Sequence, residues 1–163
     1  MTWRISEQYA AFQPIAETST TAKHPLGTIV GAHDPDIGAG EFIYLQGIGS
    51  TVVGSLVEYN AEYLTALHTT ALNTPGSVAV AMSENVASQY GWYQIAGQAT
   101  VTKANTVSYA AGAALAGSSG AGIAAVSGLI LNGALVAVVA SAKSDGTSVD
   151  VMINRPHGPS DVS

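Results

Sequence analysis

The residues of this chain able to do chemistry are few and scattered. His33, Asp34 and Asp36 form the one cluster with ligand atoms, an imidazole and two carboxylates within four positions. Such a set can hold a divalent cation. The same residues flank Pro35 and precede Gly38, a composition that makes an ordinary turn in which Asp caps backbone amides, and the turn is the expected reading. His24, His68 and His157 stand alone in sequence. Each can enter a Ser–His–Asp site only through the fold, and serine is too common here for that to carry weight. The glycine-rich stretches at 47–49 and 117–122 lack the strand–loop–helix context and lysine of a phosphate cradle. Tyr90, Trp92 and Tyr93 offer aromatic faces for a sugar platform, although alternating aromatics on a strand usually divide between core and interface. No cofactor or metal is expected, and the chain reads as a non-enzyme.

The elements that must position these residues are short. Runs such as 41–47, 51–59, 77–82, 90–95 and 147–154 are rich in β-branched and aromatic residues and are punctuated by Gly, Asn and Ser, as strands joined by tight turns are. Residues 27–32 form another candidate, with a turn at 34–40. Phe42 and Tyr44 alternate against Glu41, Ile43 and Leu45; Val149, Val151 and Ile153 share a face. Tyr90, Trp92 and Gln94 share another, and the strand resumes past Gly97 over 98–103. Asn60 closes a turn, and Arg155–Pro156 is expected to end the last strand, because proline lacks a ladder donor. Residues 61–72 mix helical spacing with strand-forming threonines and lean to strand or irregular structure. One helical turn fits 83–88, capped by Ser83. Segments 107–114 and 123–131 are weaker strand candidates, and 134–142 is a buried strand or short helix. The fold class is therefore all-β, a small antiparallel barrel or sandwich spanning 24–163, with a helix or two possible at 61–72 or 83–88.

Residues 1–23 read as a polar, flexible N-terminal arm with isolated aromatics, Trp3, Tyr9 and Phe12, and one early cation, Arg4. Two readings stand open: a loose tail, or an arm that orders on a neighbouring subunit with those side chains as anchors.

Composition narrows the function classes. Charged residues make up 10% of the 163 residues, against about 25% in ordinary soluble proteins. A neutral surface of this kind contacts other proteins at little desolvation cost. The net charge is −6 and the five cations, Arg4, Lys23, Lys103, Lys143 and Arg155, are dispersed. Direct nucleic-acid binding and anionic membranes are thereby disfavoured. There is no cysteine, which removes disulfides and thiolate chemistry. No apolar core of signal-peptide length opens the chain, and the apolar stretch 110–142 is broken by Gly117, Ser118, Ser119 and Gly120.

At GEFIYLQGIGSTVVGSLVEYN (40–60), GSVAVAMSENVASQYGWYQIAGQATV (76–101) and INRP (153–156), the chain resembles the bacteriophage capsid cement, or head decoration, proteins. A strand, a turn with Gly54, Val57 and Tyr59, a Val-Ala-Val-Ala strand and a Tyr-Gly-Trp strand follow one another as in that family. The match spans roughly 25–103 and the last strand; 104–145 does not map. The resemblance implies a virion protein on the capsid exterior, a homotrimer at local three-fold positions that binds the major capsid protein and bridges its subunits. The alternatives are a phage tail or baseplate component and a carbohydrate-binding β module. Expected interface residues are Trp3, Arg4, Tyr9, Phe12, Tyr90, Trp92 and Tyr93.

Overall fold

The computed structural model describes residues 4–5, 13–69, 76–84, 87–104, 108–125, 130–136 and 147–158. Eleven strands among them join in one antiparallel sheet: β1 (Arg4–Ile5), β2 (Ile29–Asp34), β3 (Gly38–Gln46), β4 (Leu56–Tyr59), β5 (Thr65–Leu67), β6 (Ser77–Ala81), β7 (Tyr90–Thr102), β8 (Ala114–Gly117), β9 (Ala124–Ala125), β10 (Ile130–Val136) and β11 (Ser148–His157). The described residues contain no helix, so neither 61–69 nor the described part of 83–88 is helical. The all-β expectation holds, in its sandwich-like form; the sheet does not close into a barrel.

The sheet forks at β7. Along one flank β3 pairs with Tyr90 through Ala96. Along the other, β6 pairs only at Tyr93 and Gln94, and β11 takes over from Ala96 to Thr102. The two branches face each other. Leu56, Val78 and Val80 of the β4–β6 branch pack on Ala99, Val101, Leu131, Val149, Val151 and Ile153 of the other. A second cluster, Ile43, Leu45, Val57, Ala79, Ala81, Tyr93 and Ile95, fills one face of β3, β7, β6 and β4. A third, Val30, Phe42, Tyr44 and Trp92 with Ile15, lies on the opposite face of β3 and β7. Residues 42–45 are therefore all buried, and the alternation read from sequence separates two apolar cores rather than core from solvent.

A bulge makes the fork possible. Glu41 pairs with Ala96 but Phe42 pairs with Gln94, which leaves one extra residue, Ile95, in β7. Two positions on, Gly97 has φ +99°. The side chain of Gln94 is buried and bridges the irregularity, its amide donating to Ala96 O at 3.1 Å and Gln98 O at 2.9 Å. Beyond the bend, odd-numbered residues that faced one cluster (Tyr93, Ile95) give way to odd-numbered residues in another (Ala99, Val101).

Several elements differ from expectation for local reasons. Only the second half of 51–59 is strand. Ser50 and Gly54 take positive φ (65° and 86°), and Thr51 Oγ1 donates to Ile48 O while Ser55 Oγ accepts from Val52 N, making a folded loop. Proline does not end β11. Arg155 takes φ 46° opposite Gly133 at φ 79°, and this paired distortion carries the strand past Pro156, so that His157 pairs with both Asn132 and Ser77. The strand expected over 107–114 starts later, at Ala114; of that expected over 123–131, residues 124–125 (β9) and 130–131 (in β10) are strand and 126–129 lie outside the described residues. For 134–142, residues 134–136 are strand and the rest lie outside the described residues. Asn60 does close a turn, its Oδ1 accepting from Glu62 N (3.1 Å) and Leu64 N (2.9 Å).

The arm requires the largest revision. Where described, 1–23 belongs to the body. Arg4 and Ile5 pair with His33 and Ala32 of the same chain. Gln13 and Ile15 are buried, and Ser19 pairs with Tyr90 through two backbone hydrogen bonds of 2.9 Å. A polar, aperiodic segment concealed this because its docking uses hydrogen bonds and one isoleucine, which leave no hydrophobic period.

Candidate functional site

The His33–Asp34–Asp36 cluster is a turn. Asp34 is fully buried, and its Oδ1 accepts from Asp36 N (2.9 Å) and Ile37 N (3.2 Å). That oxygen is committed to the backbone, as the turn reading expects. Among the described residues no three His, Asp or Glu side chains converge as a metal site would need.

The fold does assemble one carboxylate–imidazole pair that sequence spacing concealed. Glu58 of β4 and His68, just past β5, meet at 2.5 Å between Oε1 and Nδ1, with both side chains buried. Hairpin register brings them together: Glu58 pairs with Ala66, two residues before His68. In a hydrolase the second ring nitrogen would face a nucleophile. Here Nε2 has no hydrogen-bond partner and faces Gly117, whose missing Cβ leaves room for the ring. Gly122 N donates to His68 O at 2.8 Å. Two glycines of the 117–122 stretch thus serve this histidine, Gly117 by making room for its ring and Gly122 by holding its backbone, a packing role. His157 is exposed on β11.

The aromatic residues do not form a platform. Trp92 and Tyr93 are 0% and 1% exposed and point to opposite faces of β7, so neither can present a ring to a sugar or a partner. Their expected interface role is corrected: both are core. Tyr90 is half-buried and stacks on Tyr44 at 6.4 Å. Trp92 Nε1 donates to Gln13 O (2.9 Å), and Tyr44 Oη donates to Gln13 Oε1 (2.6 Å). The amide of Gln13 in turn donates to Glu17 O (2.8 Å) and Tyr90 O (3.0 Å). One glutamine therefore satisfies the polar tips of two buried aromatics and ties the N-terminal segment over them. Trp3, Tyr9 and Phe12 lie outside the described residues; of Arg4 the structure gives the backbone, in β1.

His24 sits on the same aromatic cluster, 5.2 Å from the Tyr44 ring and 5.3 Å from that of Trp92, with Nε2 lacking a partner. Burial holds its pKa below the ordinary 6.5. The unfolded chain then binds this proton more readily than the folded one. Stability is full above about pH 6.5 and falls as pH drops through the folded value. The expected result is that the melting temperature of the wild type falls more steeply between pH 7 and pH 5 than that of His24→Gln. Parallel profiles would show that His24 does not titrate against this cluster.

Three surface features remain among the described residues, one of them the exposed Ile130, Leu135 and Met152 of β10 and β11, where Leu135 pairs with Met152. A shallow groove of about 440 Å³ crosses β2, β3, β7 and β11, with Gly31, Ala39 and Ala96 among the residues that line it. Its rim carries the exposed Arg155–Glu41 ion pair at 2.8 Å, of a kind that contributes under about 1 kcal/mol. The third feature is a set of exposed large apolar side chains on two neighbouring turns: Ile48, Val52 and Val53 in the loop between β3 and β4, and Tyr63 and Leu64 between β4 and β5. No family model, curated protein or solved structure matches this chain.

Proposed function

We propose that the protein is a non-enzymatic structural component of a phage head, a cement protein that binds the capsid exterior and bridges major capsid subunits as a homotrimer. The observation that carries this reading is where the reactive groups are used. Asp34 serves a turn, Glu58 and His68 serve each other inside the core, His24 and Trp92 serve the aromatic cluster, and the side chains left outside are mostly neutral. A body of this kind makes contacts and not bonds. The resemblance in residues 40–60, 76–101 and 153–156 supports the same conclusion, and these segments cover β3, β4, β6, β7 and the kink of β11 that brace the fork. Many modest contacts repeated over a lattice yield avidity without one tight site.

The test is co-sedimentation with expanded shells assembled from the major capsid protein of the same gene cluster. Saturable binding at fixed stoichiometry is expected, together with a rise in the temperature at which the shells release or disassemble. Shells that neither retain the protein nor gain stability would refute the cement reading.

A further inference from the structure

Resting on that reading, we infer that the protein meets its partner through the apolar rim formed by Ile48, Val52 and Val53 with Tyr63 and Leu64, and that the partner is a protein surface with an uncharged apolar pocket. Three observations carry this. The first is continuity: Gln46 pairs with Leu64, and Gln46 N donates to Tyr63 O at 3.1 Å, so the turn carrying Tyr63 and Leu64 abuts the start of the loop carrying the other three. Val53 is the most exposed large apolar residue of the described chain, at 59%.

The second is rigidity. The loop is fastened at both ends and internally. Gly47 N donates to Gln89 O (2.7 Å), Gly54 N to Ala81 O (2.8 Å) and Thr102 N to Gly54 O (2.9 Å). Within it, Thr51 Oγ1 donates to Ile48 O and Ser55 N to Val52 O. Ile and Val lose little further χ1 freedom on contact. A fixed loop holding such side chains in water is pre-organised for a complementary pocket. A loop merely closing a connection would not need to hold them outward.

The third is charge, which selects the partner. From residue 24 to residue 102 the chain has neither lysine nor arginine, while Asp34, Asp36, Glu41, Glu58, Glu62 and Glu84 are acidic. A membrane-seeking loop is usually flanked by cations and carries Trp or Phe at its tip. Lys103, which follows the Thr102 that holds Gly54, is buried (2% exposed), and the rim's one aromatic is Tyr63. A neutral protein pocket fits; an anionic bilayer or a nucleic acid does not.

The experiment compares wild type, Val53→Asp and Met152→Asp for binding to the expanded shells. Met152 is about as exposed (52%) but lies on β11, outside the rim, and serves as control. Both substitutions are on exposed positions, and both proteins are expected to melt within a few degrees of wild type. Val53→Asp should weaken shell binding at least tenfold, about 1.4 kcal/mol, with Met152→Asp within twofold of wild type. Equal binding by all three overturns the rim while leaving the cement function in place. A wild type that does not bind shells removes the cement reading and this inference with it. Flotation of the wild type with phosphatidylcholine or phosphatidylserine vesicles, abolished by Val53→Asp, would assign the rim to lipid and overturn the protein pocket. A change of oligomeric state on Val53→Asp would assign the rim to contacts between copies and overturn it equally.

Discussion

Replacing Gly97 by alanine is expected to destabilise the protein by about 3 kcal/mol or more. Two costs add. The backbone there has φ +99°, a conformation in which a Cβ costs roughly 1–2 kcal/mol. A Cβ would also stand 2.5 Å from Ala39 O and 3.0 Å from Gly40 Cα. Both are backbone atoms of the neighbouring strand β3, so no side-chain rotation can relieve the contact. Either β3 moves away, opening the pairing around Glu41 and Ala96, or the bulge shifts and Gln94 loses its bridge. Gly31 provides the internal comparison. It lies in β2 of the same sheet, has ordinary φ, and a Cβ there would meet nothing within 4 Å. Gly31→Ala should be neutral or stabilising by up to about 1 kcal/mol, since alanine has less backbone entropy to lose. Urea unfolding midpoints at constant m-value read both. A Gly97→Ala cost below about 1 kcal/mol would mean that the fork does not depend on this close approach.

This pair of glycines also shows what the sequence can and cannot reveal. The strands β3, β6, β7 and β11 were legible because β-branched and aromatic residues alternate in them between turn residues. That Gly97 interrupts but does not end β7 was legible for the same reason. The fork was not, since it arises from β6 and β11 competing for one flank of β7, and pairing partners leave no mark on local composition. At the kink in β11 the rule that proline ends a ladder gave way to a positive φ at Arg155 matched by Gly133 across the pair. Among the candidate site residues, the turn at Asp34 was readable from Pro35 and Gly38. The Glu58–His68 pair was not, because a separation of ten positions hides a register that only the hairpin defines. The interface role expected of Trp92 and Tyr93 failed because a strand buried on both faces leaves neither side for a partner.

Removing residues 1–22 should be far more damaging than removing residues 1–12. A freely hanging arm would tolerate either cut, and the sequence expectation of an arm ending at residue 23 predicts a folded product from both. The structure separates them. The longer deletion takes away Ile15, whose burial contributes roughly 2 kcal/mol, and the Gln13 amide and carbonyl that serve Trp92, Tyr44 and Tyr90. It also removes the backbone pairing of Ser19 with Tyr90. At about 1 kcal/mol net for each of these hydrogen bonds, the total with Ile15 reaches about 7 kcal/mol, a large share of the 5–15 kcal/mol that holds a typical domain. Among the described contacts the shorter deletion removes only the two-residue pairing of β1 with β2, a loss of about 1 kcal/mol. Thermal unfolding followed by tryptophan fluorescence reports directly, because Trp92 lies beneath the segment in question and Trp3 is absent from both products. The 1–12 deletion should melt near wild type with a blue-shifted Trp92; the 1–22 deletion should melt many degrees lower, with Trp92 red-shifted by exposure to water. Equal melting temperatures would show that the contacts of Gln13, Ile15 and Ser19 add nothing, and the domain would then begin at residue 24. If the two differ as expected, residues 13–19 belong to the folded body through Gln13, Ile15 and Ser19, and any capsid-anchoring role of Trp3, Arg4, Tyr9 and Phe12 must be tested with the shorter cut, since only that variant loses those side chains while the body beneath Gln13 stays closed.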